Sequence, residues 1–202
     1  MNFIALSISG SHRTGKTTLA EKLALKLKIP FAQTNVSGTF ARLGFDPQMA
    51  YPLEQRLLIQ NAILDDFEVQ IDQIRETQLS LSGRGEVAGY ITDRSPVDFL
   101  GYMLADVLRE PQSSTIQKQL AAYQDRCINL LNHCYSHVIL VQPGIKWADA
   151  KLKGPNNPAY GEHINFIMSG VIHDERLHSR EIMIPRHCLD LDARINFITE
   201  SL

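Results

Sequence analysis

The residues most clearly suited to chemistry lie at positions 10–17, which read GSHRTGKT. This segment matches the pattern G-x-x-x-x-G-K-[ST] at every fixed position. Glycines at both ends allow the backbone to curl so that its N–H groups point at phosphate oxygens, and the helix that follows adds the positive end of its dipole. In this pattern the side chain of Lys16 reaches the β- and γ-phosphates of a nucleotide, and the hydroxyl of Thr17 ligates Mg²⁺. We therefore expect ATP and Mg²⁺ to bind here.

The expected contacts to ATP form one continuous stretch of the chain. They are Gly10, Ser11, His12, Arg13, Thr14, Gly15, Lys16, Thr17 and Thr18. Two of them are also candidates for catalysis, because the charges of Lys16 and Arg13 can stabilise negative charge on a phosphoryl group during transfer. A solvent-facing role for Arg13 stays open as the alternative.

A second group of polar residues follows a short apolar segment, GYIT. Asp93 stands where a carboxylate can reach a metal ion through water or accept a proton from an attacking hydroxyl, so it is a candidate both for catalysis and for the metal site with Thr17. Arg94 beside it can place a planar cation next to phosphate. Ser95 and Asp98 have the types and spacing of a helix capping box, and Asp98 is also a candidate contact for the phosphoryl acceptor.

A third candidate site is a polar interruption in a long apolar stripe. Helical periodicity predicts an acceptor helix from about residue 52 to 74, with a stripe of Leu53, Leu57, Leu64, Phe67, Ile71 and Ile74. Gln60 interrupts this stripe, and a buried amide needs hydrogen-bond partners. Arg56 lies one turn earlier on the same side. We predict that the two side chains bind a base edge and a phosphate or hydroxyl of the acceptor; a glutamine bonded to a loop is the alternative.

Residues 142–160 hold three of the nine prolines and form a predicted loop long enough to be functional. Basic side chains lie in this loop and after the next predicted helix: Lys146, Lys151, Lys153, Arg176 and Arg180. A lid over ATP needs cations that close on the γ-phosphate during transfer. We therefore predict a lid with Lys151, Lys153 and Arg176 as candidate contacts. Any one of the five cations taken alone is more often just a solvated surface residue, so the prediction rests on the group.

Apolar runs and helical stripes alternate along the chain. Short apolar runs predict strands at residues 3–8, 29–33, 89–92, 137–141 and 181–184. Helices are predicted at about residues 17–29, 52–74, 96–108, 115–135, 159–177 and 191–199. Parallel strands need crossover connections, so this order predicts an α/β fold with a five-stranded parallel sheet and helices on both faces. Ligands in such sheets bind beyond the carboxyl ends of the strands, where the candidate segments begin.

Length and composition limit the classes of protein to which the chain can belong. The chain has 202 residues, 44% of them apolar and 21% charged, with a net charge of −2, which fits one globular domain over residues 1–202. The near-neutral charge gives no global electrostatic footprint for nucleic acid or an anionic membrane. The three cysteines lack a C-x-x-C spacing, and Cys127 and Cys134 are expected in the core. No segment has the roughly 20 apolar residues of a membrane span. We therefore expect a cytoplasmic protein, in the host cytoplasm if its source is viral.

Three of these motifs together resemble one family. The phosphate-binding loop and the segments LEQRLLIQ and TDRSPVDFL are similar to the P-loop kinase-like ATPase family, which includes ribosylnicotinamide kinase domains, and to phage deoxynucleoside and deoxynucleotide kinases. The resemblance implies a P-loop NTPase fold with a lid, and places Lys16 and Thr17 at ATP and Mg²⁺. It likewise implies that Asp93 is a base or metal contact and that Arg94 lies near the acceptor. The lid departs from the family, because many of these kinases have a compact arginine-rich segment where this chain has dispersed lysines.

The function that these observations predict is Mg-ATP-dependent phosphoryl transfer to a small nucleoside or nucleoside monophosphate. One alternative is a kinase of a hydroxymethylated base in phage DNA, which would use the long lid with Trp147 and Tyr160 as a groove for a single strand. An alternative of another class is a nucleotide-gated regulatory ATPase, whose γ-phosphate orders a switch and is transferred only to water. The sequence leaves open whether the protein assembles as a homodimer.

Overall fold

Strands and helices alternate along the chain in the computed structural model, which describes residues 3–81, 88–107, 111–145 and 157–202. The strands are β1 (Ile4–Ser9), β2 (Phe31–Ala32), β3 (Gly89–Thr92), β4 (His137–Val141) and β5 (Arg180–Ile184). The helices are α1 (Lys16–Leu27), α2 (Val36–Leu43), α3 (Leu53–Leu81), α4 (Pro96–Ala105), α5 (Ser114–Cys134), α6 (Pro158–Ile172) and α7 (Leu191–Ser201). Within these described residues no helix combines the length and the apolar character needed to cross a membrane.

The strands form one parallel sheet in the order β2-β3-β1-β4-β5. Strand β1 lies in the middle and pairs with β3 on one side and with β4 on the other. The register pairs Ser7 with Thr92, so the segments that follow β1 and β3 leave the sheet side by side at its carboxyl edge. This is the edge where ligands bind in parallel α/β sheets. The predicted α/β fold with a five-stranded parallel sheet is confirmed.

Both faces of the sheet are covered by helices, because neighbouring residues of a strand point to opposite faces. On one face, Leu6 and Ile8 of β1 join a core with side chains of α1 and α7. On the other face, Ala5 joins a larger core that includes side chains of α3, α4, α5 and α6. The helices that carry the candidate site residues are thus packed on both sides of the same strand end.

The largest differences between the structure and the predicted elements are in three helices. Helix α2 is not predicted, because its sequence VSGTFARL contains poor helix formers. Its N-cap is Asn35, whose side chain accepts the N–H of Gly38, and its C-cap is Gly44, with φ of 74°. Helix α3 extends beyond the predicted end, to Leu81. Helix α6 ends at Ile172, five residues before the predicted end. Of the predicted lid, residues 146–156 lie outside the described part of the chain.

Candidate active site

The phosphate-binding loop connects β1 to α1 and depends on its two fixed glycines. Gly10 has φ of 152°, and a Cβ atom there would lie 2.4 Å from the carbonyl oxygen of Val141. Gly15 precedes α1 with φ of 85°, in the left-handed region that favours glycine. Both positions therefore require glycine for reasons of backbone geometry, which explains the fixed positions of the motif.

Lys16 is the first residue of α1, and its side chain folds back under the loop. Its ammonium donates hydrogen bonds to the carbonyl oxygens of Gly10, at 2.7 Å, and Ser11, at 2.8 Å. Burial lowers the pKa of Lys16 to about 8, while the carboxylates of Asp98 and Asp93 act in the opposite direction. The charge of Lys16 is therefore held at the base of the loop by carbonyl groups.

Asp93 and Thr17 meet at the carboxyl edge of the sheet. The hydroxyl of Thr17 donates to Oδ2 of Asp93 at 2.8 Å, and the backbone N–H of Thr34 donates to Oδ1 at 3.0 Å. Asp93 is 4% exposed, so these bonds fix the carboxylate in a largely buried position. A carboxylate beside a hydroxyl is a donor set that suits Mg²⁺, which usually binds through few protein oxygens and completes its shell with phosphate and water. The structure thus brings the two predicted metal ligands together.

A cavity of about 670 Å³ lies above these residues. Seven of the nine predicted nucleotide contacts line it: His12, Arg13, Thr14, Gly15, Lys16, Thr17 and Thr18. Side chains from the other elements complete its wall: Val36, Ser37 and Phe40 of α2, Pro47 and Gln48, Arg56, Gln60 and Ile63 of α3, Asp93 and Arg94, and Phe99 and Tyr102 of α4. Gly10 and Ser11, whose carbonyl groups accept hydrogen bonds from Lys16, do not line the cavity. One cavity therefore joins the phosphate-binding loop to the predicted acceptor helix.

His12 lies in a cationic and largely buried part of this cavity. Its ring packs against the ring of Tyr102, with 4.9 Å between the ring centroids. Burial, and after it the nearby charges of Arg94, Lys16 and Arg13 in that order, together lower the pKa of His12 to about 3. The imidazole is therefore neutral at physiological pH and acts as a hydrogen-bonding group beside the three cations.

Gln60 and Arg56 line the same cavity, one turn apart on α3. The Gln60 side chain is buried, and its Oε1 accepts a hydrogen bond from the hydroxyl of Tyr123 at 3.3 Å. Arg56 forms an ion pair with Asp106, at the end of α4. The alternative of a glutamine bonded to a loop is wrong, because the partner is a core tyrosine of α5.

Two predicted contacts are placed away from the cavity wall. Asp98, predicted to contact the acceptor, is fully buried, and its carboxylate accepts the backbone N–H groups of Ser95 and Gly10. Arg176, predicted as a lid contact, precedes β5 and therefore lies at the amino edge of the sheet, where it pairs with Asp174 and Asp125. Both predictions are corrected by this placement. The other two lid candidates, Lys151 and Lys153, lie outside the described residues.

Sequence reasoning missed Arg194 of α7. The side chain is buried, Nη1 donates to the carbonyl oxygen of Thr14 at 2.8 Å, and Nε donates to the carbonyl oxygen of Cys188 at 2.7 Å. A signal is present in the sequence, because Arg194 falls on the apolar stripe of Leu191, Ile195 and Ile198. A charged residue on such a stripe needs a buried partner.

Comparison with known proteins places this geometry in a fold family. No protein-family model and no curated protein sequence matches the chain. Solved structures that match the chain include three at 10–16% identity: thymidylate kinase from Candida albicans, the NadR protein in complex with NAD and AMP-PNP, and deoxyadenosine kinase from M. mycoides. The thymidylate kinase has a TM-score of 0.61 and 12% identity over 98% of this chain and 90% of that chain.

The other two matches agree with this assignment. NadR has a TM-score of 0.62 and 10% identity, covering 98% of this chain and 49% of that chain. The deoxyadenosine kinase has a TM-score of 0.51 and 16% identity, covering 98% of both chains. Since the phosphate-binding loop, the sheet order and these superpositions agree, the chain has the fold of the P-loop nucleoside and nucleotide kinases.

Proposed function

We propose that the protein is an Mg-ATP-dependent phosphotransferase that acts on a nucleoside or a nucleoside monophosphate. The observation that carries this proposal is the single cavity lined by Lys16 and Thr17 on one wall and by Arg56 and Gln60 on another. Phosphoryl transfer requires a donor and an acceptor side by side in one water-poor site. A nucleotide switch that transfers phosphate only to water does not need the second wall.

On the donor side, the backbone N–H groups of the loop and the ammonium of Lys16 would hold the β- and γ-phosphates of ATP. Thr17 and Asp93 would hold Mg²⁺, which supplies charge neutralisation between the β- and γ-phosphates when it is bound. Arg13, on the cavity wall, is suited to stabilise charge on the transferred group.

On the acceptor side, Gln60 is suited to hydrogen bond the edge of a base. Its Oε1 is engaged by the hydroxyl of Tyr123, which leaves the amide N–H₂ group as a donor for the cavity. Phe40 and Phe99 supply apolar surface for a planar base. Arg94 stands beside Asp93 and is suited to orient a phosphate or hydroxyl of the acceptor toward the loop.

The solved relatives support this substrate class. The matched structures include thymidylate kinases from Candida albicans and Ehrlichia chaffeensis and a deoxyadenosine kinase of M. mycoides with dCMP, dCTP or dATP bound. Nucleoside and nucleotide acceptors both occur among them. The proposal therefore covers both kinds of acceptor.

The test is incubation of the protein with γ-labelled ATP, Mg²⁺ and a panel of nucleosides, their 5′-monophosphates and modified oligonucleotides. We expect the label to appear in a monomeric acceptor. Label that appears only as inorganic phosphate with every acceptor would favour the regulatory ATPase. Label that appears only in an oligonucleotide, with activity that falls steeply between about 50 and 200 mM salt, would favour a DNA kinase.

A further inference from the structure

Two buried charged side chains contact the backbone of the phosphate-binding loop from opposite ends. Asp98 comes from α4 and contacts the loop at Gly10, whereas Arg194 comes from α7 and contacts it at Thr14. Neither side chain lines the cavity. The two contacts lie on opposite faces of the sheet, because α4 belongs to one core and α7 to the other.

Asp98 connects the first residue of the loop to the start of α4. Its Oδ1 accepts the backbone N–H of Gly10 at 3.3 Å, and its Oδ2 accepts the backbone N–H of Ser95 at 3.1 Å. The hydroxyls of Ser9 and Ser95 are also hydrogen bonded to each other, at 2.8 Å. The end of β1 and the start of α4 are thus joined by a small network of polar groups.

Arg194 connects the last turn of the loop to the segment before α7. Nη1 donates to the carbonyl oxygen of Thr14, and Nε donates to that of Cys188. In a trans peptide the carbonyl of one residue and the N–H of the next point in opposite directions. Holding the Thr14 carbonyl toward α7 therefore turns the N–H of Gly15 away from α7, toward the side where the loop can bind phosphate.

Burial of these two side chains has a cost in desolvation. Asp98 is fully buried and Arg194 is 3% exposed, and taking an ionised group out of water is unfavourable unless its polar atoms find partners. An ordinary helix cap does not need this burial, as the exposed Asp190 at the start of α7 shows by accepting the N–H of Ala193. The contacts of Asp98 and Arg194 instead fix the orientation of peptide groups in the loop. A phosphate site requires such preoriented dipoles.

We propose that Asp98 and Arg194 are positioning residues that hold the two ends of the phosphate-binding loop in its nucleotide-binding conformation before the nucleotide arrives. The inference rests on the proposed function only in taking ATP as the ligand of the loop. It assigns a role to the capping-box aspartate of α4 and to a residue of the last helix, neither of which contacts the cavity.

The test compares two variants with two matched controls. Asp98→Asn and Arg194→Met alter the two contacts. As a control, Asp190→Asn makes the same aspartate-to-asparagine replacement at an exposed helix cap. Arg126→Met removes an arginine bonded to acidic side chains of α3, remote from the loop. The dissociation constant for a fluorescent ATP analogue and the urea midpoint of unfolding are measured for each protein.

We expect the dissociation constant to rise about tenfold or more in Asp98→Asn and Arg194→Met, since each loses a hydrogen bond that involves a charged group. The controls should stay within about twofold of the wild type. Arg194→Lys, which keeps the charge and one donor, should give an intermediate value. In active enzyme the KM for ATP should rise more than the KM for the acceptor. Folded Asp98→Asn and Arg194→Met variants that bind the analogue as the wild type does would overturn the inference.

Amide hydrogen exchange of the nucleotide-free wild type supplies a second measurement, which does not depend on variants or on ATP binding. We expect the peptide spanning the loop to exchange much more slowly than the same peptide in the urea-unfolded chain. Exchange as fast as in the unfolded chain would overturn the inference, even if the variants fail to fold. A wild type that does not bind ATP contradicts the proposed function, and the exchange rate then decides the present inference separately.

Discussion

The buried amide of Gln60 offers a sharp test of the acceptor site. The side chain is 4% exposed, and its Oε1 accepts a hydrogen bond from the Tyr123 hydroxyl at 3.3 Å. Gln60→Leu completes the apolar stripe of α3, so sequence alone predicts equal or higher stability. The structure reverses that expectation, because the change removes the oxygen acceptor of the Tyr123 hydroxyl and leaves it only the Cys127 thiol, a weaker partner.

The size of the effect follows from the state of the Tyr123 hydroxyl. A buried hydroxyl without a partner costs about 1–3 kcal/mol. The long hydrogen bond to Gln60 and the remaining Cys127 thiol put the expected loss near the lower end. Burial of the leucine side chain offsets part of this cost. We therefore expect Gln60→Leu to lower the free energy of unfolding by about 1 kcal/mol. The double variant Gln60→Leu/Tyr123→Phe removes both polar groups and should recover most of the loss.

The assay combines urea unfolding with steady-state kinetics for the wild type, both single variants and the double variant. We expect both variants with Leu at position 60 to have kcat/KM for the acceptor reduced about tenfold or more, with the KM for ATP unchanged. Tyr123→Phe alone keeps the amide and should retain most acceptor activity. If all four proteins have the same acceptor kinetics, Gln60 is a structural amide only. If Gln60→Leu alone is more stable than the wild type, the reasoning about Tyr123 is refuted.

Three further predictions concern the donor side of the cavity. Lys16→Ala should slow transfer by about 10²- to 10³-fold with little change in the melting temperature, because the ammonium acts on charge in the transition state; activity within about threefold of the wild type contradicts the assignment. Asp93→Asn should abolish transfer while calorimetry still detects ATP binding, since the amide keeps the shape and loses the charge. In the folded protein the pKa of His12 is about 3, so its imidazole stays neutral down to about that pH, whereas in the unfolded chain the imidazole takes up a proton below about pH 6.5. The free energy of unfolding should therefore fall by up to about 2 kcal/mol between pH 8 and 5, and His12→Gln should reduce this dependence on pH.

The donor side of the site was predictable because its geometry is local. Residues 10–18 form one loop and the first turn of one helix, so their spacing alone constrains where the phosphate-binding groups lie. Asp93 was predictable for a different reason, since a residue directly after a buried parallel strand must emerge at the carboxyl edge of the sheet. That Asp93 touches Thr17 was not predictable from spacing, because it requires β3 to lie beside β1.

The residues that were wrongly assigned have roles set by partners far along the chain. Asp98 satisfies the capping-box pattern whether or not it contacts the acceptor. Only the packing of α4 under the loop turns its second oxygen toward Gly10. Arg176 was assigned from its charge and its nearness to the lid in sequence. The fold excludes that position, because a residue before a strand of a parallel sheet lies at the amino edge, one strand length from the site.

Asp93 has two predicted roles, as a metal contact and as a base, and its contacts favour one of them. One oxygen accepts the hydroxyl of Thr17 and the other accepts the backbone N–H of Thr34. These two bonds fix the orientation of the carboxylate beside Thr17. Holding a metal beside Thr17 uses the carboxylate in the position where these bonds fix it. We infer that Asp93 acts through Mg²⁺, so in calorimetry Asp93→Asn should still bind ATP but should gain less ATP affinity on addition of Mg²⁺ than the wild type does. An equal gain in the two proteins would contradict the metal role.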